Sequence, residues 1–297
     1  MALSELNGPL VISGSGYSTG NSDAAPSLVW GGVGLVDPRK SYLYGASSNV
    51  IYGFAPGSEL LAVDQVPSQL ATNNIAAAQT TTLNTNLVLV SSSGAGITVT
   101  TSATTIPQTG NVVPSGALAI DGIPGVVSFG TSGKIVIADP TKAIARAVSI
   151  TAVASATGGA FLVSGYDLYG YPQTESITAV ANTTVNGKKG WKFISSVQAL
   201  FADSSHNYSV GTADIYEFPI LVSSFPYATV GWNNAVIASA TGFVAAVTTA
   251  ASSTTGSVRG TYAVQSASDG TKALQMFIGI SPSNITSQSG MFGPTPA

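Results

Sequence analysis

The sequence predicts a mainly β protein, built of antiparallel β-sandwich or jelly-roll-like modules with extended loops and arms and little helix. Three observations predict it. Apolar residues recur with period two, as Leu274, Met276, Ile278 and Ile280 alternate with Gln275, Phe277 and Gly279, and Ile97 and Val99 with Thr98 and Thr100. Gly, Asn, Asp and Pro bound these runs, as they bound half-buried strands. Sustained 3.6-residue periodicity is scarce; residues 142–148 and 196–202 read as short helical turns.

Along the chain, three textures follow one another. Residues 1–64 form a Gly-, Tyr- and Pro-rich N-terminal β region, with turns such as Val36-Asp37-Pro38 and Phe54-Ala55-Pro56-Gly57. Residues 65–142 form a Thr-, Ser- and Ala-rich arm or strand region, which carries no charged residue from 65 to 120 and one apolar patch at Leu87-Val88-Leu89-Val90. Exposed on a free monomer, such a stretch invites edge-to-edge pairing, so it is expected to be covered by neighbours or wound into a sheet. The alternative is a flexible linker. Residues 143–297 form a β-sandwich module: an antiparallel unit to about 220, a second set of strands from 225, and a closing C-terminal hairpin. Asn186-Gly187 and Asp269-Gly270 are expected to make tight hairpin turns. No repeat of solenoid or propeller period is found.

Only 8% of the residues are charged and the net charge is −3, while hydrophobic residues make up an ordinary 44%. Disordered chains combine low hydrophobicity with high net charge, so this chain is expected to fold. A surface of hydroxyls, amides and small side chains offers little Coulomb resistance to close neighbours, which suits a subunit packed against copies of itself. A low-charge extracellular β protein shares this composition. The absence of cysteine favours assembly in a reducing compartment. The opening Met1-Ala2-Leu3-Ser4-Glu5-Leu6 lacks the basic start and apolar core of a signal peptide, and no stretch is long and apolar enough to span a membrane.

The residues needed for chemistry are few. His206, the sole histidine, has no nucleophile marked by a Gly-x-Ser-x-Gly elbow and reads as a polar loop residue. No Cys and one His leave zinc without its usual donors. Asp167, Asp203, Asp214 and Asp269 read as turn residues that match no calcium loop, although a structural calcium between loops stays open. Gly14-Ser15-Gly16-Tyr17-Ser18-Thr19-Gly20 and Trp30-Gly31-Gly32-Val33-Gly34 lack the Lys and the following helix of a phosphate loop. Glu175, one of four glutamates, reads as a solvated strand position. Lys188, Lys189 and Lys192 read as solvated lysines guarding a hairpin edge. Tyr166, Tyr169 and Tyr171 cluster in a turn and read as a subunit contact, with a sugar platform as the alternative. No catalytic, cofactor-binding or metal-binding residue is assigned.

Between residues 143 and 220 the chain takes a more specific form. Gly159-Ala160-Phe161-Leu162-Val163-Ser164-Gly165-Tyr166-Asp167 is followed by Gly170-Tyr171-Pro172-Gln173-Thr174-Glu175-Ser176-Ile177. Then come Lys189-Gly190-Trp191-Lys192-Phe193-Ile194 and Val210-Gly211-Thr212-Ala213-Asp214. This order resembles a β-sandwich module of structural proteins of tailed bacteriophages, including head decoration (cement) proteins. Arg259-Gly260-Thr261-Tyr262, with Ser268-Asp269-Gly270 downstream, is similar to their closing hairpin. The resemblance covers roughly a third of the chain. It implies a non-enzymatic virion protein without cofactor, assembled in the host cytoplasm. Its expected partners are the major capsid protein and copies of itself, in a homo-oligomer such as a trimer, with neither nucleic acid nor membrane as partner. A tail or fibre protein binding a host glycan is the alternative.

Overall fold

The computed structural model describes residues 65–90, 117–121, 144–168, 171–278 and 294–297 in full, and elsewhere the backbone of short strands only. Among the described residues strands predominate, helix is confined to one short 3-10 turn, and every pairing is antiparallel. The expected fold class is therefore observed. A sandwich-like layering is present, while the strand order does not establish a jelly roll.

Numbered in chain order, the strands fall into three sheets and two small hairpins. The first sheet runs β1 (Tyr52–Ala55), β2 (Leu60–Gln65), β22 (Leu274–Gly279), β18 (Ala228–Trp232) and β19 (Ala235–Ile237). The second runs β15 (Thr183–Asn186), β12 (Arg146–Ala152), β17 (Asp203–Glu217), β21 (Thr261–Ala263) and β20 (Phe243–Val244), with β3 (Ala76–Thr81) also on β17. The third runs β14 (Pro172–Ala179), β13 (Gly159–Tyr166), β16 (Phe193–Ala199), β9 (Leu118–Ile120), β6 (Gly96–Thr98) and β5 (Ser92–Ser93), with β4 (Thr85–Asn86) on β16. The hairpins are β7 (Ala103–Thr105) with β8 (Val112–Pro114), and β10 (Val127–Phe129) with β11 (Gly133–Ile135).

Alternation explains why these segments layer. In β13 the burial pattern turns Phe161, Val163 and Gly165 inward, and in β14 Gln173, Glu175, Ile177 and Ala179. Their apolar side chains meet Val148, Ile150, Tyr208 and Val210 from β12 and β17, so the second and third sheets share one core. Phe161, Phe201 and Tyr208 pack edge-on at its end, with ring centroids 5.1 to 5.5 Å apart. The fifteen-residue β17 then runs on into a second core, where Tyr216 meets Val230, Trp232, Met276 and Ile278 of the first sheet. Side chains of this size each stabilise the fold by roughly 1.5–3 kcal/mol when fully buried.

Several sequence-level expectations are corrected. Residues 146–152 and 193–199 are strands, not helical turns: both lie between two partner strands, and ladder pairing overrides the helix propensity of their alanines. Asn186-Gly187 is not a hairpin turn; it starts a crossover from the second sheet to the third. Gly187 makes room there for the Glu175 carboxylate, since a Cβ would lie 2.6 Å from Glu175 Oε2 and displace it. Asp269-Gly270 likewise links strands of two different sheets, β21 and β22, so the expected closing hairpin is not formed. A tight two-residue hairpin lies at Asn233 and Asn234, whose φ values of 54° and 65° match the left-handed pair of a type I′ turn.

The uncharged stretch is wound into the sheets where it is described. Ile75 N donates to Val210 O, Leu87 N to Val197 O, and Ile120 N to Lys192 O. The turns at residues 1–51 and the 91 position lie outside the described residues, as do Val99, Tyr169 and Ile280.

Candidate functional site

A chain this poor in charge would be expected to show what little it has to water. Among the described residues the reverse holds. Arg146, Asp167, Glu175, Lys189, Lys192, Asp203, Glu217 and Arg259 are all buried. The side chains of Asp121 and Asp214 are 4% and 11% exposed. Among the charged side chains described, Lys188, Asp269 and Lys272 are left to reach solvent, and the last two pair with each other at 3.6 Å.

The reason lies in the crossovers. Where a chain passes between sheets, its backbone N–H and C=O groups lose their ladder partners and still need hydrogen bonds. The crossover between β15 and β16 crosses the interior; Gly187 N, Trp191 N and Lys192 N bond to backbone carbonyls, and other donors go to carboxylates. Lys188 N donates to Glu175 Oε1 at 2.5 Å, Gly190 N to Glu217 Oε1 at 3.3 Å, and Trp191 Nε1 to Glu175 Oε2 at 3.3 Å. Its Gly190 carbonyl accepts from Gln173 Nε2, and its Lys192 Nζ donates to Ile120 O of β9 at 2.7 Å. Charged groups make stronger bonds to backbone than neutral ones, which suits a segment whose ladder pairing is reduced to the Arg146–Trp191 bridge.

Two arginines centre the clusters. Arg259 donates from Nη2 to Asp167 Oδ2 at 2.7 Å and from Nε to Glu217 Oε2 at 3.1 Å, and Ser257 Oγ donates to the other Glu217 oxygen at 2.7 Å. Arg146 gathers residues remote in sequence. It donates to Asp214 Oδ1 at 2.7 Å, Ser268 Oγ at 2.9 Å, Ser68 O at 2.9 Å and Ala213 O at 3.3 Å, reaches Asp121 at 3.5 Å, and lies 5.4 Å from the Tyr216 ring centre.

Burial pushes the Glu217 carboxyl up, and nearby Asp167 adds to it, against the pull of Arg259. Burial also raises Glu175, opposed by its donors at Lys188 and Trp191, and lowers the Lys189 ammonium against the attraction of Glu175 and Glu217. Burial works against the Arg146 charge, but Asp121, Tyr216 and Asp214 more than offset it.

The sequence-level site residues fall as follows. Tyr166 ends β13, half-buried against Ala117, Ala119 and Phe193; Tyr171 is exposed; Tyr169 lies outside the described residues. Glu175 is buried, not solvated. Lys189 and Lys192 are buried, leaving Lys188 as the one solvated lysine of the three, so no basic surface patch exists there. Asp203 and Asp214 belong to β17 rather than to turns, and so does His206. His206 Nδ1 lies 2.9 Å from Asp203, which also accepts from Tyr208 Oη, Thr157 N and Ser205 N. This has the base-and-orienter half of a triad, but among the described residues no hydroxyl bonds the other ring nitrogen. Asp203 instead ties the Thr157 loop to β17. Among the described residues no group of three or more His, Asp or Glu side chains gathers as a metal site, and no helix is long and apolar enough to cross a membrane.

No protein-family model, curated protein or solved structure matched the chain.

What sequence reasoning missed is the burial of Arg146, Glu175, Lys189, Lys192, Glu217 and Arg259. A signal was present. Ala145-Arg146-Ala147, Trp191-Lys192-Phe193 and Tyr216-Glu217-Phe218 each set a charge between apolar neighbours inside a strand-like run.

Proposed function

We propose that this chain is a non-enzymatic structural protein of a tailed-bacteriophage virion, a capsid decoration (cement) protein that stabilises the head by bridging capsomers and associating with its own copies. One observation carries the reading: among the described residues most charged side chains are buried, where they tie crossovers and sheets, and the described surface is left almost without charge. Such a surface is poorly suited to steering a charged ligand over distance. It suits extended, close contact, where many small interactions repeated by symmetry supply the free energy. The order of elements from Ala147 to Asp214 resembles the phage module, and it supports the same reading.

The test is co-purification. Particles grown with a tagged copy are expected to carry the chain at a fixed ratio to the major shell protein. A chain that stays in the soluble fraction while intact particles form without it overturns the reading. Exposed Tyr171 favours the second reading, a tail or fibre protein binding a host glycan. Glycan-array binding lost on Tyr171→Ala is its expected result.

A further inference from the structure

We infer that β19 is the strand through which two copies of this chain join, antiparallel, across a two-fold axis that fuses their first sheets into one. The inference deepens the assembly reading and rests on it only in that copies associate.

An edge strand presents unpaired backbone groups, and folded proteins normally cover or guard them. Among the edges whose side chains are described, the others are dealt with. The outer edge of β14 is capped by the chain itself, since Thr174 N donates to Ala297 O at 3.0 Å and Ser176 N to Ser253 O at 2.7 Å. β3 is covered by the 88–90 segment, with Val90 N bonded to Ile75 O and the Gln79 amide bonded to both backbone groups of Val88. β15 ends beside the exposed Lys188. β20 is two residues long, and the chain after it folds back through Ala246 N to Val222 O.

β19, three residues long, is neither capped nor covered by described residues, and no charged residue flanks it in sequence. Its two-residue turn makes Trp232 and Ala235 the hydrogen-bonded pair, so Gly231 and Val236 form the non-bonded pair and Val236 turns its N–H and C=O away from β18. Neither group has a partner among the described residues. Val236 is 74% exposed because its cross-strand neighbour, Gly231, offers no side chain to pack against.

The charge pattern selects a second copy. At a two-fold axis each residue meets itself or a near neighbour, so any charge at the edge meets its like. Residues 218–258 contain no charged residue, and the run from Ala235 through Ala240 is small, apolar or hydroxyl-bearing. Such an edge accepts its own copy without repulsion, and each unpacked Val236 gains a neighbour from the other chain.

The experiment is sedimentation velocity on the full chain, with Val236→Lys and the neutral Val236→Thr. Wild type and Val236→Thr are expected to dimerise, and Val236→Lys to self-associate on the order of a hundredfold more weakly, with unchanged circular dichroism. A monomeric wild type overturns the inference, as does a natively folded Val236→Lys that dimerises normally. Should Val236→Lys fail to fold, hydrogen exchange of the wild-type Val236 amide decides: slowing as concentration rises supports the inference, and fast exchange at every concentration overturns it. Failure here is distinct from failure of the virion reading. A monomer that still co-purifies with particles sinks this inference alone, and a β19 dimer absent from particles sinks the virion reading alone.

Discussion

Arg259 and Glu217 form an ion pair inside the protein with both side chains 2% exposed, joining the segment before β21 to the end of β17. The same guanidinium reaches Asp167, which immediately follows β13 in the third sheet. One side chain thus holds two sheets together where the chain leaves both. Replacing a buried pair by apolar groups is often neutral, whereas removing one partner strands the other charge.

Arg259→Ala is therefore expected to destabilise the protein by roughly 3–5 kcal/mol, measured as a shift in urea unfolding. Arg259→Met combined with Glu217→Leu should recover part of that loss. Asp167 remains without its cation in the double variant, which limits the recovery.

Gly165→Ala is expected to be disruptive through backbone contact rather than charge. Gly165 sits at the register shift between β13 and β16, and a Cβ there would lie 1.9 Å from Phe193 O, a backbone atom that cannot rotate away. A loss of roughly 1–3 kcal/mol or more in chemical denaturation is the expected outcome.

Acid should act on the fold in two opposed stages. Burial raises Glu175 and Glu217 above their ordinary value of 4.5, so the folded state holds their protons more tightly than the unfolded chain does. Their contribution is present below the unfolded value and is lost as pH rises through the folded one. Asp203 is the reverse. Burial alone would raise it, but donors from Thr157, Tyr208, Ser205 and His206 outweigh burial and hold the carboxyl well below the ordinary 3.8. Its contribution is present above that value and is lost as pH falls below it. Urea titrations should show stability climbing from neutral pH towards about 4.5 and falling below about 3.8. Glu175→Gln should lessen the climb, and Asp203→Asn the fall.

The amides of Ile75, Leu87 and Ile120 should exchange slowly even in the isolated protein, because each is bonded into a sheet of its own chain. Fast exchange at all three, measured by mass spectrometry, would mean that the stretch 75–120 is held only by neighbours.

The strands were legible wherever one face is apolar. Leu274, Met276 and Ile278 alternate as the buried face of β22, and Phe161 and Val163 as that of β13. Pairing was not legible. Nothing local to Leu118–Ile120 says that it lies between β16 and β6, and the alanines around Arg146 read as helical because the partners that make them a strand come from residues 183–186 and 208–216. The buried charges were illegible for a related reason. Lys192 is expected in water until one knows that Ile120 O and Ile144 O converge on it, and that convergence is a property of the crossover, not of the residues beside it.

The central claim is that association runs through a neutral surface rather than through charge. It is tested most directly by the salt dependence of attachment to phage heads, measured by pelleting between about 50 mM and about 500 mM NaCl. Attachment that changes by less than about threefold over that range agrees with contact through a neutral surface. A fall of a hundredfold or more, of the order seen when several exposed ion pairs hold a complex, would contradict it.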